Sequence, residues 1–113
     1  MGSDPLFTDG VIVIDKPAGP TSHDVVAVAR RVTGMKKVGH TGTLDPLASG
    51  VLPLVLGRAT RLAQFLSSTD KEYEADIQLG LSTTTFDRAG TVLERTDQRS
   101  VSELKLSDIE DAV

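Results

Sequence analysis

The apolar residues of this chain fall into short blocks whose spacing changes from strand-like to helix-like. GVIVID (10–15) is a β-branched apolar run closed by the turn-formers of KPAGP, and it predicts a buried strand. TSHDVVAVARRVTG follows with Val25, Val28, Ala29 and Val32 at i, i+3, i+4 and i+7, which predicts a helix. Thr21 or Ser22 can cap its start, and Arg30, Arg31 and Gly34 mark its end. MKKVGHTGTLDPLASG has little periodicity and reads as a loop, and VLPLVLG (51–57) reads as a strand that Pro53 should confine to an edge or a bulge. Ala59, Leu62, Ala63 and Leu66 predict a second helix in RATRLAQFLSS. EYEADIQLGL alternates, with Tyr73, Ala75, Ile77, Leu79 and Leu81 on one side, which predicts a half-buried strand. A turn-rich TTTFDRAG leads to a further strand in TVLER, and Ser107 with Glu110 reads as the capping box of a last helix. Strands alternating with helices and then following one another predict an α+β fold, a mixed and largely antiparallel sheet with flanking helices.

With 113 residues, the chain is sized for one domain or part of one. The final helix would have only about two turns, a marginal length, so the sequence is expected to be a piece of a longer protein. It has no cysteine, which removes disulfides and thiolate metal sites. Two histidines, His23 and His40, do not make a conventional zinc set, so no metal is expected. No apolar run approaches the ~20 residues of a membrane span. MGSDPLF lacks a basic segment followed by an apolar one, and Leu6 stands where a myristoylation signal needs Ser or Thr. A cytoplasmic protein is the expectation.

The net charge of −4 conceals a division. Residues 1–61 carry seven Lys and Arg against five Asp and Glu, whereas residues 62–113 carry five against eleven. Between Val25 and Thr69 stand six basic residues and one acid, Asp45. A lone carboxylate among cations suits an anionic substrate with a reacting centre; two differently charged solvated faces would look the same. Asp45 before Pro46 also fits a helix N-cap with proline at the first helical position. The other reading is a nucleophilic or general-base carboxylate, kept ionised by its neighbours. The two are compatible, because a capping turn also fixes a side chain. The glycines of GHTGTLD could also form an anion-binding nest.

GVIVIDKPAGPTSHDVV, KKVGHTGTLDPLASGVLPLVLGRATRLAQFL and DKEYEADIQLGLSTTTFDRAGTV, in this order, resemble the TruB-type tRNA pseudouridine synthases from Gly10 to Val92. The resemblance implies isomerisation of a T-loop uridine in tRNA to pseudouridine, without a cofactor. It implies that Asp45 is the catalytic residue, that Tyr73 stacks on an extruded uracil, and that His40 contacts the substrate loop. Lys16 would lie near the site, as a substrate contact or in a structural or solvated role, and Lys36, Lys37, Arg58, Arg61 and Lys71 are candidate phosphate contacts. It also implies that residues 1–113 are the N-terminal segment of a catalytic domain, without its remainder and its RNA-binding domain. The expected partner is tRNA, through its T-loop and stem. The intact protein is expected to be a monomer, and the segment alone inactive and prone to self-association. Two other readings remain: a non-catalytic RNA-binding module, and a synthase subunit directed by a guide RNA.

Overall fold

The structure, a computed structural model, describes residues 8–113; the readings of MGSDPLF and Leu6 lie outside the described residues. The architecture is α+β, and the chain divides into two units, residues 1–71 and 72–113.

In the first unit, strands β1 (Gly10–Lys16), β2 (Val38–His40) and β3 (Gly50–Leu56) form an antiparallel sheet in the order β1-β3-β2. Helix α1 (Ser22–Thr33) lies between β1 and β2 in sequence. Thr21 caps it, accepting from the Asp24 N–H while the Asp24 carboxylate accepts from the Thr21 N–H. Gly34 ends it at φ 72°, in the left-handed region that glycine enters without penalty.

The core joins Val26 of α1 and Val38 of β2 to Leu44 and to Leu52, Leu54 and Leu56 of β3. The helix face differs from the one expected. Val28 and Val32 are exposed, whereas Ser22 and Val26 are buried and Val25 and Ala29 half-buried. An apolar run such as VVAVA leaves the rotation of a helix undetermined. Polar contacts at its two ends decide it here: Ser22 is buried against Leu44, and Arg30 donates from Nε and Nη2 to the carbonyls of Lys36 and Val38. Leu54 is fully buried, so Leu54→Ala should destabilise the protein by about 3 kcal/mol. A urea melt would read this as a lower midpoint at unchanged slope.

Pro53 corrects a second expectation, because β3 is the central strand and Pro53 lies within it, opposite Val13. The carbonyl of Pro53 accepts from the N–H of Thr41, just past the end of β2. In an antiparallel ladder a residue's N and O point to the same side. The missing donor therefore falls where β2 has stopped, and the ladder with β1 is undisturbed. After β3 the predicted helix is divided: a 3-10 segment, Gly57–Leu62, leads into one turn of α2 (Ala63–Leu66).

In the second unit, β4 (Leu81–Thr83) pairs with β5 (Val92–Arg95), and α3 (Gln98–Ser102) and α4 (Leu106–Ala112) follow. The alternating segment from Glu72 is not a strand before Leu81, and Tyr73 and Ile77 are 65% and 80% exposed. Alternation makes a strand only where a neighbouring edge supplies a ladder and a surface covers the apolar side; the described residues of this unit pair only Leu81–Thr83. Helix α4 begins ahead of the expected Ser107: the Asp108 carboxylate accepts from the N–H of Lys105. Helix α3 was not anticipated; Asp97 caps it by accepting from the Ser100 N–H.

Candidate active site

The loop between β2 and β3 carries Asp45, and it forms a β-turn rather than the start of a helix. The Ala48 N–H donates to the Asp45 carbonyl at 2.9 Å, with Pro46 and Leu47 at the turn's centre. Proline presets φ for the first of these two positions. The N-cap reading of Asp45 is thereby corrected: one turn closes, and β3 begins at Gly50 before a helix can propagate. Asp45 is exposed, and neither ion pair among the described residues, Arg58–Asp9 or Arg99–Glu103, uses its carboxylate.

The exposed acid sits on a tightly held backbone. Lys16, the last residue of β1, is 0% exposed, and its ammonium reaches the carbonyls of Asp45 (3.3 Å), Pro46 (3.2 Å), Ala48 (2.7 Å) and Pro17 (2.9 Å). Three N–H donors are thus divided among four carbonyls, and none is left to meet a substrate. Of the two roles expected for Lys16, its burial favours the structural one: a buried lysine must spend its charge on whatever encloses it. Gly19, at φ 116°, donates its N–H to the Pro46 carbonyl at 2.6 Å, joining the KPAGP turn to the Asp45 turn. Ser22 Oγ donates to the Leu44 carbonyl and accepts from the Leu44 N–H, each at 3.0 Å.

His40 ends β2 opposite Leu54, so its side chain emerges on the sheet face that carries Leu52, Leu54 and Leu56. Its Nδ1 is buried without a hydrogen-bond partner among the described residues. Tyr73 belongs to the second unit and is exposed.

The five candidate phosphate contacts separate by environment. Lys36, Lys37 and Arg61 are exposed. Lys71 donates to the carbonyls of Ser67 and Thr69, where α2 ends. Arg58 is held by Asp9, whose carboxylate accepts from the Arg58 backbone N–H at 2.8 Å and from Nε at 2.7 Å. Those two bonds, the backbone one foremost, hold the Asp9 carboxyl below its ordinary value. A depressed carboxyl contributes stability that is complete above its unfolded value, near 3.8, and that fades as pH falls through the lower folded value. Asp9→Asn should therefore lower the melting temperature slightly at neutral pH, meet the wild-type value in acid, and so flatten the acid limb of the profile below about pH 4. An unaltered acid limb would contradict the pairing.

No group of His, Asp or Glu among the described residues is arranged to hold a metal ion. No helix there is long and apolar enough to cross a membrane.

The family described as "TruB family pseudouridylate synthase (N terminal domain)" matches residues 30–113. The chain belongs to the TruB family. A second family, the DKCLD (NUC011) domain, matches residues 4–26. Among TruB-family relatives, tRNA pseudouridine synthase B of Thermobifida fusca is 60% identical over 89 residues, 79% of this chain and 30% of the relative. The synthase of the same name from Solibacter usitatus is 55% identical over 105 residues, 93% of this chain and 35% of the relative. The chain thus spans about a third of the length of these curated relatives. A solved structure of an H/ACA RNP bound to a substrate RNA containing 2′-deoxyuridine holds a chain 58% identical to this one over the residues that align. The two superpose with a TM-score of 0.49 over 50% of this chain and 18% of that one.

Two members of the site were missed in the sequence. Ser22 was read only as an alternative helix cap, and Asp9 was not connected to Arg58 across 49 positions. Neither pairing has a local sequence signal. The adjacency of Thr21 and Ser22 offered one hint, since a helix start needs only one capping hydroxyl.

Proposed function

We propose that the protein carrying this chain is a tRNA pseudouridine synthase that isomerises a T-loop uridine, with Asp45 as the catalytic carboxylate. The observation that carries this reading is an exposed acid on a turn whose backbone is tied to β1, to α1 and to the KPAGP turn. The relatives' shared name, tRNA pseudouridine synthase B, supports the choice of reaction and substrate.

The reaction breaks the bond from ribose C1′ to uracil N1 and forms one from C1′ to C5. N1 gains a proton, and C5 gives one up. No second substrate is consumed and no electrons leave, so the reading calls for no cofactor. Asp45 acts at the sugar, either by attack on C1′ or by helping remove the C2′ proton; both routes need an ionised carboxylate at close range. The uridine must leave its stack to be reached. His40 helps hold that extruded state, and Tyr73 stacks on the base. All five candidate phosphate contacts are exposed, and Lys36, Lys37 and Arg61 are preferred because Arg58 and Lys71 already have partners. Such contacts position an RNA without reading its sequence, and the loop's shape carries selectivity. The proposed partner is tRNA, acted on in the cytoplasm by a monomeric protein.

The full-length protein, given an unmodified tRNA transcript with no guide RNA or protein partner, should form pseudouridine in the T-loop. Product only when a guide is added would replace this reading with the guide-directed one, and binding without product would favour the non-catalytic module.

A further inference from the structure

Ser22 is the first residue of α1, yet the helix does not use its hydroxyl, because Thr21 already accepts the Asp24 N–H. The hydroxyl instead serves both backbone polar groups of one distant residue, Leu44. Ser22 is 3% exposed and Leu44 8%, and the Leu44 side chain belongs to the core. A single oxygen that gives to the C=O and takes from the N–H of the same residue fixes the peptide planes on both sides of it. The second of those planes is the Leu44–Asp45 peptide bond. On its far side, the Asp45 carbonyl is bound by Lys16 and by the Ala48 N–H. Asp45 is therefore gripped before and after its Cα, yet the residue is exposed.

We propose that Ser22 is a positioning residue for Asp45: its hydroxyl, through Leu44, sets the direction in which the carboxylate leaves the loop. The proposal rests on the reading of Asp45 as the catalytic acid. Reacting groups lose about 100-fold in rate for a displacement near 1 Å. Ser22→Ala, in the full-length protein, should thus lower kcat about 10- to 100-fold with KM for tRNA within about threefold. Amide exchange at Leu44 should quicken, since its acceptor is gone. Val26→Ala, a core truncation one turn further along the same helix, is the control for plain destabilisation. Assayed well below both melting temperatures, it should keep the wild-type kcat.

A wild-type kcat for Ser22→Ala, or an equal loss in Val26→Ala at a matched melting temperature, overturns the proposal. Should the alanine variant fail to fold, Ser22→Thr and Ser22→Cys decide. The threonine keeps a hydroxyl and should stay within about threefold of wild type, whereas the cysteine, a weak donor, should lose about tenfold. A cysteine variant as fast as wild type overturns the role. Asp45→Asn is run in parallel. If it retains activity, the reading of Asp45 itself is wrong; if it is dead while Ser22→Ala is unimpaired, only the role of Ser22 fails.

Discussion

Replacing Lys16 by methionine should destabilise the protein by about 3 kcal/mol or more, a larger loss than most single substitutions produce. Methionine roughly preserves the length of the lysine stem, so the change isolates the ammonium. What is lost is the donor to four carbonyls, on Pro17, Asp45, Pro46 and Ala48, in a place where water does not reach the nitrogen. The Asp45 and Pro46 carbonyls keep the N–H groups of Ala48 and Gly19, whereas the Pro17 and Ala48 carbonyls lose their donor, each at a cost of about 1 kcal/mol or more unless the loop opens to solvent. If it does open, the Asp45 turn loses its order. A urea melt should show the midpoint falling, and activity measured where the variant is still folded should fall about 100-fold as well. Stability within about 0.5 kcal/mol of wild type would mean that the buried ammonium is not what holds the turn.

The second large effect concerns the acid itself. Asparagine has the shape of aspartate and disturbs none of the backbone bonds around position 45, which run through main-chain atoms and the side chains of Lys16 and Ser22. It is neither a nucleophile nor a base. Asp45→Asn should therefore cost about 10⁴-fold or more in kcat, about 5 kcal/mol of barrier, while melting temperature stays near wild type. RNA affinity should hold or rise slightly, because the one negative charge leaves a segment, Val25 to Thr69, whose other charges are all basic. The Lys16 and Asp45 variants thus separate the two halves of the site. One removes what holds the loop, the other what the loop holds.

How much of this was legible depended on whether the deciding interaction was local. The strand at Gly10–Lys16 and the helix after Thr21 follow from a β-branched run, a capping box and a terminal glycine, all signals within a few residues. The rotation of that helix was not legible, because four apolar residues crowd its first turns and a serine and an arginine, bound to distant backbone, choose among them. Pro53 misled for a similar reason. A proline is excluded from a strand interior only where its nitrogen faces a partner, and β2 stops one residue short of it. The segment from Glu72 to Leu79 has the periodicity of a strand and no ladder among the described residues, since periodicity records what a segment would bury and not what is there to cover it.

The candidate site divides along the same line. Asp45 could be singled out by charge alone, as the one acid between Val25 and Thr69. The resemblance in GHTGTLDPLASG supplied its chemical role, which no spacing rule would have given. What fixes its backbone was invisible, since Lys16 and Ser22 lie 29 and 22 positions away from the residues they bind.

The central claim is that the carboxylate of Asp45 carries the chemistry on a uridine of tRNA. Its most direct test is single-turnover pseudouridine formation on a tRNA transcript labelled with tritium at uridine C5, with full-length wild type and Asp45→Asn side by side at saturating enzyme. Wild type should release the label as C5 joins C1′, and the asparagine variant should bind the RNA equally well and release none above background. Release by the variant at a rate within about tenfold of wild type would contradict the account.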